Sequence, residues 1–502
     1  MNKPLRFIDG MLNKVTMYRV VIYYLYALLG IATVFGFIGW LPYGGFAIVV
    51  STIVIMAVCL GTNWIFAKVY EAPINNDSVY ITALILALII NPAASFAGFG
   101  FLFWAAVLAI ATKYLIAYRK KHFFNPAAAA VFITAIVINQ SATWWIGNGV
   151  MLIFVAIGGL LVVRKIRRFD LVLSFLIVFY TTTIILNLQN NIGIWETIYK
   201  ATLHAPVFFF AFVMLTEPST TPTTRIKRIL YGAFTGFLFA PQISIFSYYF
   251  TPESALLVGN IFSYLLSPTK KISLYLKEKI KVAENTYDFV FGLDRPMAFF
   301  AGQYMEWTVG HDNPDTRGVR RYFTIASAPE EKELRIGIRL APTQAESSSY
   351  KKALMAMPEN GQVTAAALSG DFTLPKDPTK KLAFIAGGIG ITPFRSMIQS
   401  LILKKEKRDI VVLYSSRMPE HTAYKDVLSE AEQKLGIKTF YVVTAQSKGV
   451  INADFIRQNV PDFAERYFYI SGPDVLVTAM KRALRSLHLK ATHIKTDYFP
   501  GF

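Results

Sequence analysis

Apolar positions run in long stretches through roughly the first 270 residues and in short alternating ones after that. A helix that crosses lipid needs about 20 apolar residues, because its backbone must bond internally across a core of roughly 30 Å. Ten candidate segments emerge: Val20–Trp40, Gly45–Phe66, Val79–Ile90, Gly98–Ala117, Pro126–Ile138, Asn148–Val163, Leu171–Leu186, Ala201–Leu215, Ile229–Phe246 and Ala255–Leu266. Several are shorter than a full span. The short ones cluster where proline interrupts, at Ile90-Asn91-Pro92, Phe124-Asn125-Pro126 and Thr216-Glu217-Pro218. Each proline either starts a helix at its first turn or breaks one, and a broken helix is tolerated only where its free backbone groups line a buried site. Val20–Trp40 is long for the apolar core of a cleaved leader, and another span follows at once.

From Lys271 the period shortens. Leu334-Arg335-Ile336-Gly337-Ile338-Arg339-Leu340 places an apolar residue at nearly every second position, which predicts a half-buried strand. Several such strands before Pro375 predict a small antiparallel barrel. Beyond it, Leu382–Ala386, Ile410–Tyr414, Thr439–Val443 and Tyr467–Ile470 are apolar strands separated by helical stretches, the pattern of a parallel α/β sheet. The expected organisation is an α-helical polytopic membrane domain over 1–270, an antiparallel β-barrel over 271–375 and an α/β parallel-sheet domain over 376–502, with the first boundary near Pro268-Thr269-Lys270-Lys271.

Composition agrees with a partner in lipid: 54% of residues are hydrophobic and 17% charged. The net charge of +19 belongs to membrane topology rather than to nucleic acid, for which no basic recognition element appears. With the N-terminus inside, the inner loops carry Lys68, then Arg119-Lys120-Lys121, Arg164-Lys165 with Arg167-Arg168, and Arg225, Lys227 and Arg228. The outer loops carry almost no Lys or Arg, so the C-terminal domain is expected in the cytoplasm of a multi-pass protein of the cell membrane. The single cysteine, Cys59, excludes internal disulfides and an all-cysteine iron–sulfur cluster. No metal site is expected, and a haem pair fails because only His204 of six histidines falls in a predicted span.

The loop Gly387-Gly388-Ile389-Gly390-Ile391-Thr392-Pro393 follows a strand and opens into the helix Phe394–Leu403. Glycines let a pyrophosphate approach the backbone, and a helix N-terminus supplies free N–H groups and positive dipole. Three further motifs frame this loop: Arg321-Tyr322-Phe323-Thr324 in the barrel, Leu413-Tyr414-Ser415-Ser416-Arg417 at the next strand end, and Ser471-Gly472-Pro473 after a later strand. With Phe300-Ala301-Gly302-Gln303-Tyr304 and the terminal Asp497-Tyr498-Phe499-Pro500-Gly501-Phe502, their order resembles the ferredoxin-NADP reductase superfamily over Lys271–Phe502.

That resemblance implies FAD as cofactor and NAD(P)H as hydride donor. It would pair Arg321 with the FAD pyrophosphate, for which a guanidinium offers bidentate donors. Phe323 stands where the family usually has a tyrosine against the flavin ring, beside Tyr322, and Thr324 would place its hydroxyl near flavin N5. Ser347, Ser348 and Ser349 would serve the FAD phosphates. Gly387, Gly388, Gly390, Thr392 and Pro393 would hold the dinucleotide together with Gly472 and Pro473. Ser471 replaces the family's cysteine beside the nicotinamide. Thr324 and Ser471 are thus the catalytic candidates. Phe499, with Tyr498 and Phe502, would stack on or cover the flavin, or else pack in a core. Arg417, at a strand end where the adenosine ribose should lie, leaves NADH and NADPH both open.

In the membrane half, Lys121-His122-Phe123-Phe124-Asn125-Pro126-Ala127 and Met214-Leu215-Thr216-Glu217-Pro218-Ser219-Thr220-Thr221-Pro222-Thr223 look like the flavin-carrying membrane subunits of the Rnf complex and the sodium-pumping NADH:quinone oxidoreductase. The likeness covers most of residues 20–267 and implies inverted repeats, FMN or riboflavin in the membrane, and a site drawing on Asn125, Pro126, Thr216, Glu217 and Pro218. Family members often carry FMN on a threonine of a Ser-Gly-Ala-Thr-like motif, absent between Ile166 and Phe208. The nearest string, Gln140-Ser141-Ala142-Thr143, lacks the glycine and reads as a helix-terminal turn. The expected acceptor is a quinone or an extracytoplasmic electron-acceptor protein. Competing readings are a reductase whose membrane half is an anchor without transmembrane transfer, and a transporter that senses NAD(P)H.

Overall fold

The computed structural model describes residues 3–12, 15–70, 76–118, 121–267, 271–293, 297–312, 314–315, 317–343, 347–445 and 450–499. The chain forms two compact units, Met1–Lys270 and Lys271–Phe502. Arg119 and Lys120, the boundary residues Pro268 to Lys270 and the terminal Pro500 to Phe502 lie outside the described residues.

The first unit is helical: α1 (Lys3–Leu12), α2 (Met17–Phe37), α3 (Gly45–Val69), α4 (Asn76–Ile89), α5 (Phe96–Leu115), α6 (Pro126–Val137), α7 (Leu152–Ile166), α8 (Phe169–Gln189), α9 (Ile194–Leu203), α10 (Val207–Met214), α11 (Arg225–Phe239) and α12 (Pro252–Leu266). Four of them, α2, α3, α5 and α8, are long and apolar enough to cross a membrane, and the pair α9 and α10 makes a fifth if taken together. By length and composition this is a multi-pass membrane unit.

Two expected spans differ in form. Ala201–Leu215 is a helix pair bent by 66° at the break that contains Pro206, where proline removes a backbone donor, and Phe210–Met214 winds as a π-turn. Ile229–Phe246 stops being helical at Phe239, ahead of Pro241. Ser244–Ile245 and Tyr248–Tyr249 then pair as a hairpin whose turn residues Phe246 and Ser247 both have positive φ. A second hairpin, Ala117–Tyr118 with Lys121–His122, precedes α6. Both halves therefore run in one order: two helices, a short or broken buried one, a further helix, a hairpin, and a helix that opens on proline.

The second unit holds two sheets. Strands β1 (Ile272–Ala283), β2 (Thr286–Leu293), β3 (Tyr304–Thr308), β4 (Arg320–Thr324), β5 (Leu334–Arg339) and β6 (Gln362–Ser369) pair antiparallel in the order β4-β3-β6-β1-β2-β5. The chain leaving β4 meets β5 where Ala326 N–H donates to the Arg335 carbonyl at 2.8 Å, so the sheet curls into a half-barrel around Phe289, Phe291 and Trp307. Helix α13 (Ser349–Ala356) lies between β5 and β6 in the chain.

Next come β7 (Leu382–Gly387), α14 (Thr392–Lys404), β8 (Ile410–Ser416), α15 (Lys425–Leu435), β9 (Lys438–Val443), α16 (Ala453–Asn459), β10 (Tyr467–Pro473), α17 (Asp474–Ser486) and β11 (Ile494–Phe499). They form a parallel sheet in the order β9-β8-β7-β10-β11. Central β7 is buried at all six positions, which is why it reads as a continuous apolar run.

Candidate active site

Strand β4 and helix α13 build the first part of the site. Alternation along β4 turns Arg321 and Phe323 to one face, where the Arg321 guanidinium lies 5.1 Å over the Tyr350 ring and Phe323 sits 5.8 Å from the same ring. Arg321 is buried and donates through Nη1 to the carbonyls of Arg317, Gly318 and Arg320 at 2.6–3.1 Å. Its Nε and Nη2 find no hydrogen-bond partner among the described residues, and Asp315 stands 3.7 Å from Nη2. Burial draws the Arg321 pKa down while Asp315 opposes it. Ser348 caps α13 by accepting from Lys351 N–H, and Ser349 exchanges hydrogen bonds with Asp315 at 2.9 and 3.0 Å. Ser347 is half-buried just ahead of them. Tyr322 points away and donates to Glu306 at 2.8 Å.

The second part is the loop after β7. Gly387 ends the strand, Gly388 to Ile391 make one tight helical turn with Gly388 at φ +53°, and Thr392 and Pro393 open α14. The helix thus begins two residues earlier than its apolar pattern indicated. A Cβ at Gly390 would lie 2.5 Å from the Ser471 carbonyl and 2.6 Å from Gly472 Cα, so only glycine lets this turn rest on β10. Gly472, at φ +151°, and Pro473 end β10. Thr324 Oγ1 and Ser471 Oγ are buried without a hydrogen-bond partner among the described residues. Buried hydroxyls are normally paired, so these two, like Arg321, fit a bound polar group. Arg417 is exposed at the end of β8. Tyr498 and Phe499 pair with Gly472 and Pro473 along β11.

Two residues that the sequence reading passed over tie these parts together. Arg339, at the end of β5, brings Nη1 to 3.9 Å from where a Gly388 Cβ would stand, and Lys351 Nζ donates to the Arg339 carbonyl at 2.9 Å. Lys351 sits in the first turn of α13 with a pKa lowered to about 8, chiefly by burial and then by Arg317, Arg321 and Arg339. A basin of four cations at a helix N-terminus suits phosphate groups.

In the helical unit, Asn125 caps α6 through its Oδ1, donates Nδ2 to Glu217 Oε2 at 2.9 Å and gives its N–H to Asn260 Oδ1 at 2.8 Å. His122 Nε2 stands 3.4 Å from Glu217 Oε1, and Asn260 donates to the Tyr231 hydroxyl at 3.0 Å. Thr216 is buried and donates to the Phe212 carbonyl, while Pro218 follows Glu217 into a turn. Pro126 starts α6 at its first turn, directly after the Asn125 that meets Glu217.

A second polar cluster lies where the C-terminal end of α4 meets the start of α12. Thr143 and Trp144 give their N–H groups to the Ile89 carbonyl, the Thr143 hydroxyl donates to Asn91, and the Trp144 indole donates to buried Glu253 at 3.0 Å. Glu253 and Trp144 carried no sequence signal beyond one acidic and one aromatic residue beside a proline or a turn.

Residues 384–482 match the oxidoreductase NAD-binding domain and residues 143–271 match the NQR2, RnfD, RnfE family. A flavohemoprotein of Oceanobacillus iheyensis is 23% identical over 44% of this chain and 57% of its own length. NADH-cytochrome b5 reductase 1 of Ajellomyces capsulatus is 26% identical over 46% of this chain and 80% of its own. The chain thus spans about half the length of the flavohemoproteins it matches, at 57% and 53%. Among solved structures, ferredoxin-NADP+ reductase from Plasmodium falciparum aligns with 46% of this chain and 97% of its own at 16% identity and a TM-score of 0.40. The chain thus joins a helical unit similar to the NQR2, RnfD, RnfE family over residues 143–271 to a unit that matches the oxidoreductase NAD-binding domain over residues 384–482.

Proposed function

We propose that this protein is a membrane-bound NAD(P)H oxidoreductase that takes hydride from NAD(P)H with FAD and hands electrons to a flavin or quinone in or across the membrane. The observation that carries the reading is the set of buried polar atoms without a hydrogen-bond partner among the described residues, Arg321 Nε and Nη2, Thr324 Oγ1 and Ser471 Oγ, beside a capped helix and a glycine turn. Arg321 and the α13 N-terminus would hold the FAD pyrophosphate, Phe323 would face the ring, and the Gly387–Thr392 turn would take the dinucleotide. FAD, when bound, supplies the exchange between a two-electron donor and one-electron acceptors. Thr324 would offer its hydroxyl at the ring, and Ser471 would position the nicotinamide.

In the helical unit the repeated order of helices, hairpin and proline-started helix supports two inverted repeats, giving about ten membrane segments with the short ones at the centre. Each proline-started helix also carries one polar pair at its start, Asn125 with Glu217 at α6 and Glu253 with Trp144 at α12. With the Lys and Arg loops inside, the reductase unit is cytoplasmic and the acceptor is a membrane quinone, a second flavin such as FMN or riboflavin, or a protein outside.

The test is to count flavins in the purified full chain and follow them by stopped-flow absorbance after mixing with NADH or NADPH. FAD should be reduced first and a second flavin or added quinone after it. One FAD per chain with no onward transfer would leave an anchored reductase; nucleotide binding with no flavin reduction would leave a sensor and overturn the reading.

A further inference from the structure

Barrel and α/β lobes of the second unit meet at a gap in the barrel wall. On strands β2 and β5, Asp288 and Gly337 are direct cross-strand partners. Glycine leaves the space beside Asp288 open, and the other lobe fills it. A Cβ at Gly337 would lie 2.3 Å from the Tyr424 hydroxyl, 2.7 Å from Thr392 Cγ2 and 3.2 Å from Ile389 Cδ1. Tyr424 enters from the start of α15, is buried, and donates its hydroxyl to Asp288 Oδ1. Its backbone stands at φ +57°, a conformation that side chains other than glycine rarely adopt.

The same short segment holds the dinucleotide turn. Ala423 N–H donates to the Tyr414 hydroxyl at 3.1 Å, and that hydroxyl donates to the Gly388 carbonyl at 3.1 Å. One connected set therefore runs from barrel strand β2, through Asp288, Tyr424, Ala423 and Tyr414, to the positive-φ glycine of the turn. Adhesion alone does not call for it. Arg395 already donates to the Ala326 carbonyl at 2.9 Å and pairs with Glu331, and Ser396 donates to the Ser327 carbonyl at 2.6 Å. Burying an acid–phenol pair is a poor way to add cohesion, whereas a hydrogen bond of fixed direction sets a distance.

We propose that Tyr424 and Asp288 are a positioning pair: seated in the Gly337 gap, they fix the dinucleotide turn against β2 and β5 and so set how closely the nicotinamide approaches the flavin. The inference rests on the NAD(P)H oxidoreductase reading. The step it governs is the transfer of a hydride, one proton with two electrons, from the dihydronicotinamide carbon to the oxidised flavin, leaving the oxidised nicotinamide. Small displacements of such a pair of reactants cost about 100-fold per ångström in unfavourable cases.

Tyr424→Phe and Asp288→Asn in the full chain test it. Tyr424→Phe keeps the ring and loses the hydroxyl; Asp288→Asn keeps an acceptor for it. FAD per chain and the NAD(P)H dissociation constant should stay within about twofold in both, while the limiting rate of flavin reduction falls about tenfold or more in Tyr424→Phe and stays near wild type in Asp288→Asn. The fall should come with a larger isotope effect from 4-deuterated NAD(P)H. In protein without nucleotide, hydrogen exchange of the amides from Gly387 to Thr392 should quicken in Tyr424→Phe only. Should that variant lose FAD, Tyr424→Phe with Asp288→Leu removes charge and partner together and is read in the same way. A limiting rate within about twofold of wild type, with unchanged exchange in the turn, overturns the proposal. A wild-type chain whose flavin NAD(P)H does not reduce overturns instead the reading on which it rests.

Discussion

Lys351 shows how one residue can report on the whole cationic basin. Burial and the neighbouring Arg317, Arg321 and Arg339 bring its pKa from 10.5 to about 8. Between those values the unfolded chain holds a proton that the folded unit does not, so stability rises with pH across that window; below about 8 the folded unit bears the full cost of the buried charge. A bound phosphate reverses the preference and favours the protonated amine. FAD binding near pH 9 should therefore take up a proton and weaken as pH rises from about 8, and Lys351→Met should flatten that dependence. Calorimetry in buffers of different ionisation enthalpy measures the uptake directly, and an uptake of zero removes Lys351 from the phosphate site. Arg321→Ala should weaken FAD binding by about tenfold or more, the scale of a lost charge-assisted hydrogen-bond pair, while changing NAD(P)H binding less; flavin content and nucleotide titration read both. Equal losses would contradict its role. Arg321 and Phe323 were named as candidates from the sequence because one motif holds them two residues apart, on one face of a strand. Arg339, Lys351, Tyr350 and Asp315 were not, since each is an ordinary strand, helix or loop residue until β5 and α13 bring them together.

At the level of elements, the glycine turn between β7 and α14 is set by its neighbours more than by its own flexibility. Gly390→Ala would drive a Cβ into the backbone of Ser471 and Gly472, which is held in the parallel ladder with β7 and cannot give way. The turn, not the barrel, should move. The Michaelis constant for NAD(P)H should rise about tenfold or more with flavin content unchanged, and steady-state kinetics beside an FAD assay would separate that from general unfolding. An unchanged constant would mean that the dinucleotide lies elsewhere. Strand positions in this unit could be read from alternation and from the buried run Leu382–Gly387, because side chains on a pleated strand repeat every two residues. The hairpins at Ala117–His122 and Ser244–Tyr249 could not, because strands of two residues are too short to show any period. The break at Pro206 was hidden for a related reason: the apolar run continues through it, and only the bend marks it.

For the molecule as a whole, the question is where the electrons go. Interrupted helices and two polar clusters, one at the start of α6 and one at the start of α12, are more than an anchor requires, since one span would hold a reductase at a membrane. Glu217 joins the first cluster through Asn125 and His122, and its removal would leave the Asn125 amide without that acceptor. A carboxylate in such surroundings is costly and is by default a functional candidate, though it also stands where it could simply steady the end of a helix. Reconstitution distinguishes these roles. In proteoliposomes with the reductase unit outward, NADH or NADPH should reduce an impermeant acceptor trapped in the lumen. Glu217→Ala should slow that step several-fold while leaving FAD reduction at its normal rate, as read by absorbance of the flavin and of the acceptor in one experiment. If Glu217 only steadies a helix, the variant should lower the melting temperature and leave the ratio of the two rates unchanged. A lumenal acceptor that stays oxidised while FAD is fully reduced defeats transfer across the bilayer, and reduction of a membrane quinone under the same conditions would then locate the end of the path within it.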